Sequence, residues 1–253
     1  MSNQPRREDE RTLQQRFIEF LSSNRIVLLT ILIVIVVGIV GSFLYLEISD
    51  RRATAAANLA EELRSSYQEW TNLEEGEGKG AKLEEIESTA SEIFDRFGNT
   101  FAAQRAHFVL ASIAWENEDY EEAAAEFSTL AEEFSQSYLA PVALFNAAVA
   151  EEELGNPEEA RSRYEKLVGE YADSSAQVPR ALFALGRLSE SSESWEEAAT
   201  YYNRILDEYG QSSWTTLARN RIIFLQTEEL ISESSWCDTI DLPADLPVAL
   251  TER

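Results

Sequence analysis

Paired carboxylates are the most abundant candidates for chemistry in this chain of 253 residues, which has 46 Asp and Glu against 21 Lys and Arg. Neighbouring carboxyl groups can act as general acid and general base when their environments push their pKa values apart. Such pairs occur at Glu121-Glu122, at Glu132-Glu133 and in the run 151–153. They recur at positions that predict the solvent-facing side of helices, so we interpret them as solvated surface charge.

A single histidine and a single cysteine restrict the remaining side-chain chemistry. His107 has no second histidine with which to build a multi-histidine metal site, so we predict a packed, hydrogen-bonded core residue. With Cys237 alone, an internal disulfide framework and a cysteine-rich zinc site are excluded. We predict a buried, inert thiol at Cys237, and an intermolecular disulfide is the alternative in an oxidising compartment.

The remaining motifs give no further site. The segment GEGKG (76–80) lacks the spacing of a phosphate-binding loop and a preceding strand, so we interpret residues 74–80 as a flexible connector. No acidic stretch has the alternating ligand spacing of a calcium loop. We therefore predict a non-enzymatic protein with no catalytic residue, no metal ligand and no cofactor. The net charge of −25 also argues against nucleic-acid binding, which needs a basic face.

An uncharged stretch of 21 residues begins at Ile26 and ends at Leu46. As a helix it would be about 31 Å long, which matches the hydrocarbon core of a bilayer. It is longer than the apolar part of a signal peptide, and 25 residues precede it, so we predict an uncleaved span. Small residues in the segment 38–42 leave cleavage open as an alternative.

The basic residues around this stretch predict its orientation. Five arginines precede it and three follow at a comparable distance: Arg6, Arg7, Arg11, Arg16 and Arg25, then Arg51, Arg52 and Arg64. This excess places the N-terminus in the cytoplasm and the larger part outside the inner membrane. The predicted domains are a cytoplasmic arm (1–24), a transmembrane helix (25–47), a helical-repeat domain (48–231) and a C-terminal tail (232–253).

An internal repeat dominates the third of these domains. The segments DYEEA (119–123), NPEEA (156–160) and SWEEA (194–198) start 37 and 38 residues apart. Each opens with a helix-capping residue and has Glu three positions later, a spacing that predicts a capping box at the start of a helix. Pro157 occupies a first helical position, where its missing N–H costs nothing.

The register extends on both sides of this motif. Small residues align at Ala111, Ala148 and Gly186, where two helices could approach closely, and aromatic residues align at Phe127, Tyr164 and Tyr202. A degenerate earlier copy begins near Trp70. Each unit predicts a pair of antiparallel helices that cannot bury its apolar face alone, and stacked pairs would share a continuous core. The predicted fold is all-α: a transmembrane helix followed by an α-solenoid of about four helix pairs.

A small residue on the first helix, then Ala and an aromatic residue four positions later on the second, resembles the tetratricopeptide repeat. The long turns FSQSYLAPVALF (134–145) and YADSSAQVPRALFALG (171–186) resemble those of bacterial outer-membrane-assembly lipoproteins and Tol-Pal-associated cell-division coordinators. One uncleaved span with an external repeat domain looks more like the ancillary subunit of the Sec translocon (YfgM-like). The resemblance implies a protein that holds other proteins at the membrane.

One row of side chains is a candidate binding surface. Phe108, Phe145 and Phe183 lie three positions before the aligned small residues, on the side of the first helices that lines the concave groove in the tetratricopeptide family. With Arg105, Arg180 and Arg187 nearby, this row would bind a peptide segment or helix. The alternative is that the three rings complete the packing between repeats.

Two functions follow from these expectations. The first is a scaffold or chaperone-like adaptor that binds translocon components and client polypeptides at the Sec translocon. The second is a structural component of an envelope-assembly or motor complex. Crosslinking in native membranes would separate them, because the first predicts nascent clients as partners and the second predicts one stoichiometric partner.

Overall fold

The computed structural model describes residue 18 and residues 24–232, and the elements in this part of the chain are all helices. In chain order they are α1 (Arg25–Asn72), α2 (Glu77–Phe97), α3 (Phe101–Glu116), α4 (Tyr120–Glu133), α5 (Ala140–Glu153), α6 (Pro157–Tyr171), α7 (Val178–Ser191), α8 (Trp195–Glu208) and α9 (Trp214–Thr227). The prediction of an all-α chain with an N-terminal apolar helix and a helical-repeat region is confirmed. The tail from residue 233, with Cys237, lies outside the described residues.

The first part of α1 is an exposed apolar rod. Each described large apolar side chain between Ile26 and Ile48 is at least half exposed. An apolar surface this large is rare on a soluble monomer and is typical of a surface that contacts a membrane or another protein. Among the described helices, α1 is the one that is long and apolar enough to cross a membrane.

The chain divides into two compact units, with the boundary between Leu59 and Ala60 inside α1. From α2 onward in the second unit, each helix packs against the next one in sequence. The three repeated motifs begin α4, α6 and α8, so the helix pairs are α3–α4, α5–α6 and α7–α8. The end of α1 and α2 form the degenerate earlier pair. Helix α9 repeats the first helix of a pair.

The same turn joins the two helices of each pair. Glu118, Gly155 and Glu193 have positive φ angles of 62°, 75° and 59°. The residue after each one donates its backbone N–H to a carbonyl five positions earlier, at 2.8–2.9 Å. This is the Schellman ending of a helix, which normally carries glycine at the left-handed position. Only the middle copy has glycine there.

The predicted capping boxes are wrong, because none of the three motifs forms a complete one and only the first forms its N-cap half. Asp119 accepts a hydrogen bond from the backbone N–H of Glu122 at 3.2 Å, as predicted. Asn156 instead donates to the side chain of Glu151 at 3.0 Å, and Ser194 caps no backbone N–H. In all three motifs the backbone N–H of the N-cap residue already bonds to a carbonyl of the preceding Schellman turn, so it is not available to the Glu side chain of a capping box.

The predicted loop 74–80 is also shorter than expected, because α2 begins at Glu77 and includes Gly78 and Gly80. Lys79 explains this early start. Its ammonium pairs with Glu75 at 2.5 Å and lies 4.4 Å from the centroid of the Trp70 ring. The cation therefore links the first turn of α2 to the buried tryptophan of the preceding helix.

A continuous apolar core extends from Ala111 on α3 to Ile231 after α9. The aligned small residues lie where two helices approach closely, as predicted: Ala111, Ala148 and Gly186 are fully buried or nearly so. A methyl group added at Gly186 would lie 2.4 Å from Cε1 of Tyr202. In the α7–α8 pair, the second helix thus packs its aromatic residue directly on the small residue of the first.

Two recurrent hydrogen bonds connect successive pairs. Tyr171 donates to the carbonyl of Ser135 at 2.9 Å, and Tyr209 donates to the carbonyl of Ala172 at 3.0 Å. Three serine hydroxyls also accept a hydrogen bond from the backbone N–H two residues later, just before or at the start of a first helix. These residues are Ser137, Ser175 and Ser212. These bonds fix the long turns between pairs, which gives each first helix the same entry geometry.

Candidate protein-binding groove

A groove of about 310 Å³ runs between α5 and α7, and Trp214 at the start of α9 closes one side. We call it the α5–α7 groove. Its apolar surface comes from Phe145, Val149, Phe183 and Trp214, and its charged groups are Glu152, Glu153, Arg180 and Arg187. Two consecutive first helices of the repeat, α5 and α7, thus form its walls.

The structure brings four of the six predicted site residues together in this groove: Phe145, Phe183, Arg180 and Arg187. Arg105 and Phe108 lie outside it, on α3. The Arg105 guanidinium lies 5.8 Å from the ring centroid of Phe101. Phe108 is partly buried and packs against Phe127, with 5.5 Å between ring centroids.

The three phenylalanines differ in how much surface they offer. Each packs against the aromatic residue of its own second helix, as Phe145 does on Tyr164 at 5.2 Å and Phe183 on Tyr202 at 5.3 Å. Phe145 is only 3% exposed, so its ring serves the packing of the core. Phe183 is partly exposed and contacts Trp214 at 5.2 Å. The open apolar surface of the groove is therefore centred on Phe183 and Trp214.

Arg180 supplies a cation that is free to bind. Its side chain is exposed, and the guanidinium lies 4.1 Å from the ring centroid of Phe145. It has no carboxylate partner within residues 24–232, where the other groove arginine, Arg187, pairs with Glu152 at 2.5 Å. Stacking on a ring orients the planar guanidinium and leaves its N–H groups for an acceptor.

A three-residue network holds the floor of the groove. Glu152 accepts a hydrogen bond from the Tyr164 hydroxyl at 2.7 Å and another from Arg187 at 2.5 Å. Burial, and next the hydrogen bond to Glu152, raise the pKa of Tyr164, so the hydroxyl stays a donor at neutral pH. The arrangement recurs one repeat later, where Tyr202 and Arg221 both donate to Glu190.

Sequence reasoning missed Val149, Trp214 and this network. Trp214 opens a first helix, but no capping motif follows α9, so the repeat pattern does not reveal its register. The Glu152 and Glu190 carboxylates are 38 residues apart and look like surface charge in the sequence, although their side chains are only 15% and 10% exposed. Aligning the tyrosines with the acidic residues 12 positions before them would have found the network.

Within the part of the chain that the structure describes, no three His, Cys, Asp or Glu side chains are placed to hold a metal ion. His107 lies on α3, where its Nδ1 is 2.6 Å from Oε2 of Glu126 and its ring packs on Phe94. It is thus packed and hydrogen-bonded, as the sequence predicts, but it is only partly buried and lies at the edge of the core.

Two family models match the chain. One, described as a tetratricopeptide repeat-like domain, matches residues 19–160, which is more than half of the chain. The other, described as a tetratricopeptide repeat, matches residues 145–213. Helix α9 lies just beyond both matches. Among curated proteins, none matches the chain.

Proposed function

Because the chain belongs to the tetratricopeptide repeat-like family, whose domains mediate protein–protein interactions, we propose that it is a non-enzymatic, membrane-anchored adaptor. The α5–α7 groove holds a segment of another protein. The observation that carries this proposal is the pairing of Arg180, an exposed cation with no carboxylate partner in residues 24–232, with the partly exposed rings of Phe183 and Trp214. Aromatic residues and arginine are the usual anchors of such interfaces.

The bound segment has an apolar side chain and a carboxylate. The aromatic rings take the apolar side chain, and the carboxylate accepts hydrogen bonds from Arg180, whose planar group suits a carboxylate. Glu153 on the rim of the groove disfavours strongly acidic runs, because like charges would be held close together. A partly apolar client polypeptide fits these requirements.

Charge reversal tests the groove with a matched control. We expect Arg180→Glu to reduce partner capture severalfold, because it replaces the free cation by an anion. Lys166→Glu is the control: it makes the same charge change on an exposed cation of α6 outside the groove. Capture is measured by photocrosslinking in native membranes from a probe at Asn146, a half-buried position on α5 one turn before Val149 of the groove. Equal losses in both variants, or none in either, would contradict a groove-bound partner.

The identity of the adducts separates the two adaptor functions. We favour a scaffold or chaperone-like role at the Sec translocon, in line with the resemblance of the architecture, and this role predicts adducts with translocon subunits and nascent clients. A structural role in an envelope-assembly or motor complex predicts instead one adduct in constant ratio. Mass spectrometry of the crosslinked bands distinguishes them.

The membrane part of the proposal rests on the exposed apolar rod of α1 and on the arginines that flank it. We place the arm 1–24 in the cytoplasm, the span 25–47 in the bacterial inner membrane and residues 48–253 on the periplasmic side. Protease added outside the inner membrane should then digest the repeat domain and leave the arm intact. A soluble form that begins near Ser42 would show instead that the span is removed.

A further inference from the structure

Helix α9 carries an exposed apolar side within the second unit. Among the described large apolar residues after Ile48, seven are exposed, and three of these lie on α9: Leu217, Ile223 and Phe224, which are 44–47% exposed. Leu217 and Phe224 are seven positions apart and so share one side of the helix. The buried side is formed by Ala218, Ile222 and Leu225.

The turn after α9 directs the chain back along this helix. Glu229 has a φ of 57°, and the N–H of Leu230 bonds to the carbonyl of Leu225 at 2.9 Å. These are the features of the Schellman turns after α3, α5 and α7, each of which sends the chain into a second helix packed on the first. Leu230 also lines a cavity of about 480 Å³ with Phe224 and Arg221.

We propose that the tail, residues 233–253, binds back over α9 and covers its exposed apolar side in the place of a second helix. The tail supplies apolar residues in its first half: Trp236, Ile240 and Leu242. Ten extended residues reach about 33 Å, whereas the 14 residues of α9 are about 21 Å long. The tail is therefore long enough to follow the whole helix.

Charge complementarity favours the tail as the occupant. It contains five acidic residues and one arginine: Glu233, Asp238, Asp241, Asp245, Glu252 and Arg253. Arg219 on α9 is exposed and has no partner in the region 24–232. A second copy of this acidic repeat domain would instead bring like charges together, which disfavours association.

The native cysteine gives a direct test, because Cys237 is the only cysteine of the chain. Asn220 is exposed and lies between Leu217 and Phe224 on α9. In the full chain carrying Asn220→Cys, dilute and in detergent micelles, a short bis-maleimide should join residues 220 and 237 within one molecule. Peptide mapping by mass spectrometry identifies the product.

Two further variants distinguish docking from chance encounters of a tethered tail. The first variant adds Leu217→Ser and Phe224→Ser together, and the second adds Trp236→Ser alone. Each should slow the intramolecular crosslink about tenfold, which corresponds to a loss of about 1.4 kcal/mol of docking free energy. Trp236→Ser lies outside the repeats, so it tests the contact without altering their core. An unchanged rate in these variants, or no crosslink at all, would overturn the proposal. Adducts of dimer size that grow with protein concentration would show that a second copy covers α9.

Discussion

At the scale of single residues, three glutamates stand where glycine is expected. Glu118, Glu193 and Glu229 have φ angles of 57–62°, in the left-handed region that costs an ordinary residue about 1–2 kcal/mol. Gly155 occupies the same position of its own pair without that cost. The repeat therefore tolerates local backbone strain at these turns, and the hydrogen bonds of the Schellman motif maintain it.

Replacing such a glutamate should stabilise the protein. We expect Glu193→Gly to raise the free energy of unfolding by about 1 kcal/mol, because glycine removes the steric cost of the left-handed conformation. Urea unfolding of the full chain in detergent micelles, followed by circular dichroism, measures it. Glu87→Gly, the same replacement in the interior of α2, should instead lose about 1 kcal/mol. If both variants lose stability, the turn is not strained.

At Gly186, the size of the side chain determines the effect of a substitution on stability. We expect Gly186→Ala to lower the free energy of unfolding by about 1–3 kcal/mol, because the new methyl group would overlap the buried Tyr202 ring. Gly169→Ala on α6 is the matched control. No atom lies within 4 Å of the added group there, so alanine should be neutral or stabilising by up to about 1 kcal/mol. Equal effects in both variants, measured by thermal melting, would exclude a tight contact at Gly186.

At the scale of helices, the sequence predicts the features that repeat along the chain and misses the contacts that form only when the helices pack together. The spacing of the capping motifs and small residues places α3 to α8 correctly, because each pair solves the same packing problem. It does not reveal that the backbone N–H of each N-cap residue is already bonded to the preceding turn. Nor does it show that Phe145 is covered while Phe183 is open, since this difference arises from the neighbouring helices.

Each Tyr–Glu–Arg network joins three helices. The tyrosine lies on the second helix of a pair, the glutamate on the first helix of the same pair, and the arginine on the first helix that follows. Burial, and next the hydrogen bond to Glu190, raise the pKa of Tyr202 well above 10. Tyr164 shifts in the same direction for the same reasons, and burial raises the pKa of Tyr67 to about 12. Above pH 10 the unfolded chain loses these phenolic protons before the folded chain does, so rising pH favours unfolding.

We therefore expect the stability of the repeat domain to be complete below about pH 10 and to fall as the pH rises further. The chain has only three lysines, so tyrosine titration should dominate this decline. Tyr202→Phe lowers stability at neutral pH by about 1–2 kcal/mol through the lost hydrogen bond, and it should flatten the decline above pH 10. Tyr138→Phe, at an exposed tyrosine, is the control and should leave stability at neutral pH as it is. An unchanged slope in Tyr202→Phe would contradict the role of the network.

At the scale of the whole molecule, the apolar core is shared between helix pairs. It runs from Ala111 to Ile231 without a break at the boundaries between pairs. Stacked repeats gain their stability from such interfaces, since one helix pair buries too little apolar surface alone. Ala160 lies inside this core on α6 and is fully buried.

Ala160→Gly should therefore weaken the entire stack and not only its own pair. We expect a loss of about 1 kcal/mol from helix propensity, with a further loss from packing. Because the core is continuous, thermal unfolding should remain one transition at a lower temperature, with the same midpoint by circular dichroism and by tryptophan fluorescence. A peptide of residues 142–178 should be largely unfolded, since it lacks both neighbours. Either a split transition in the variant or a stably helical peptide would mean that each pair folds on its own, and the interfaces between pairs would then contribute little to stability.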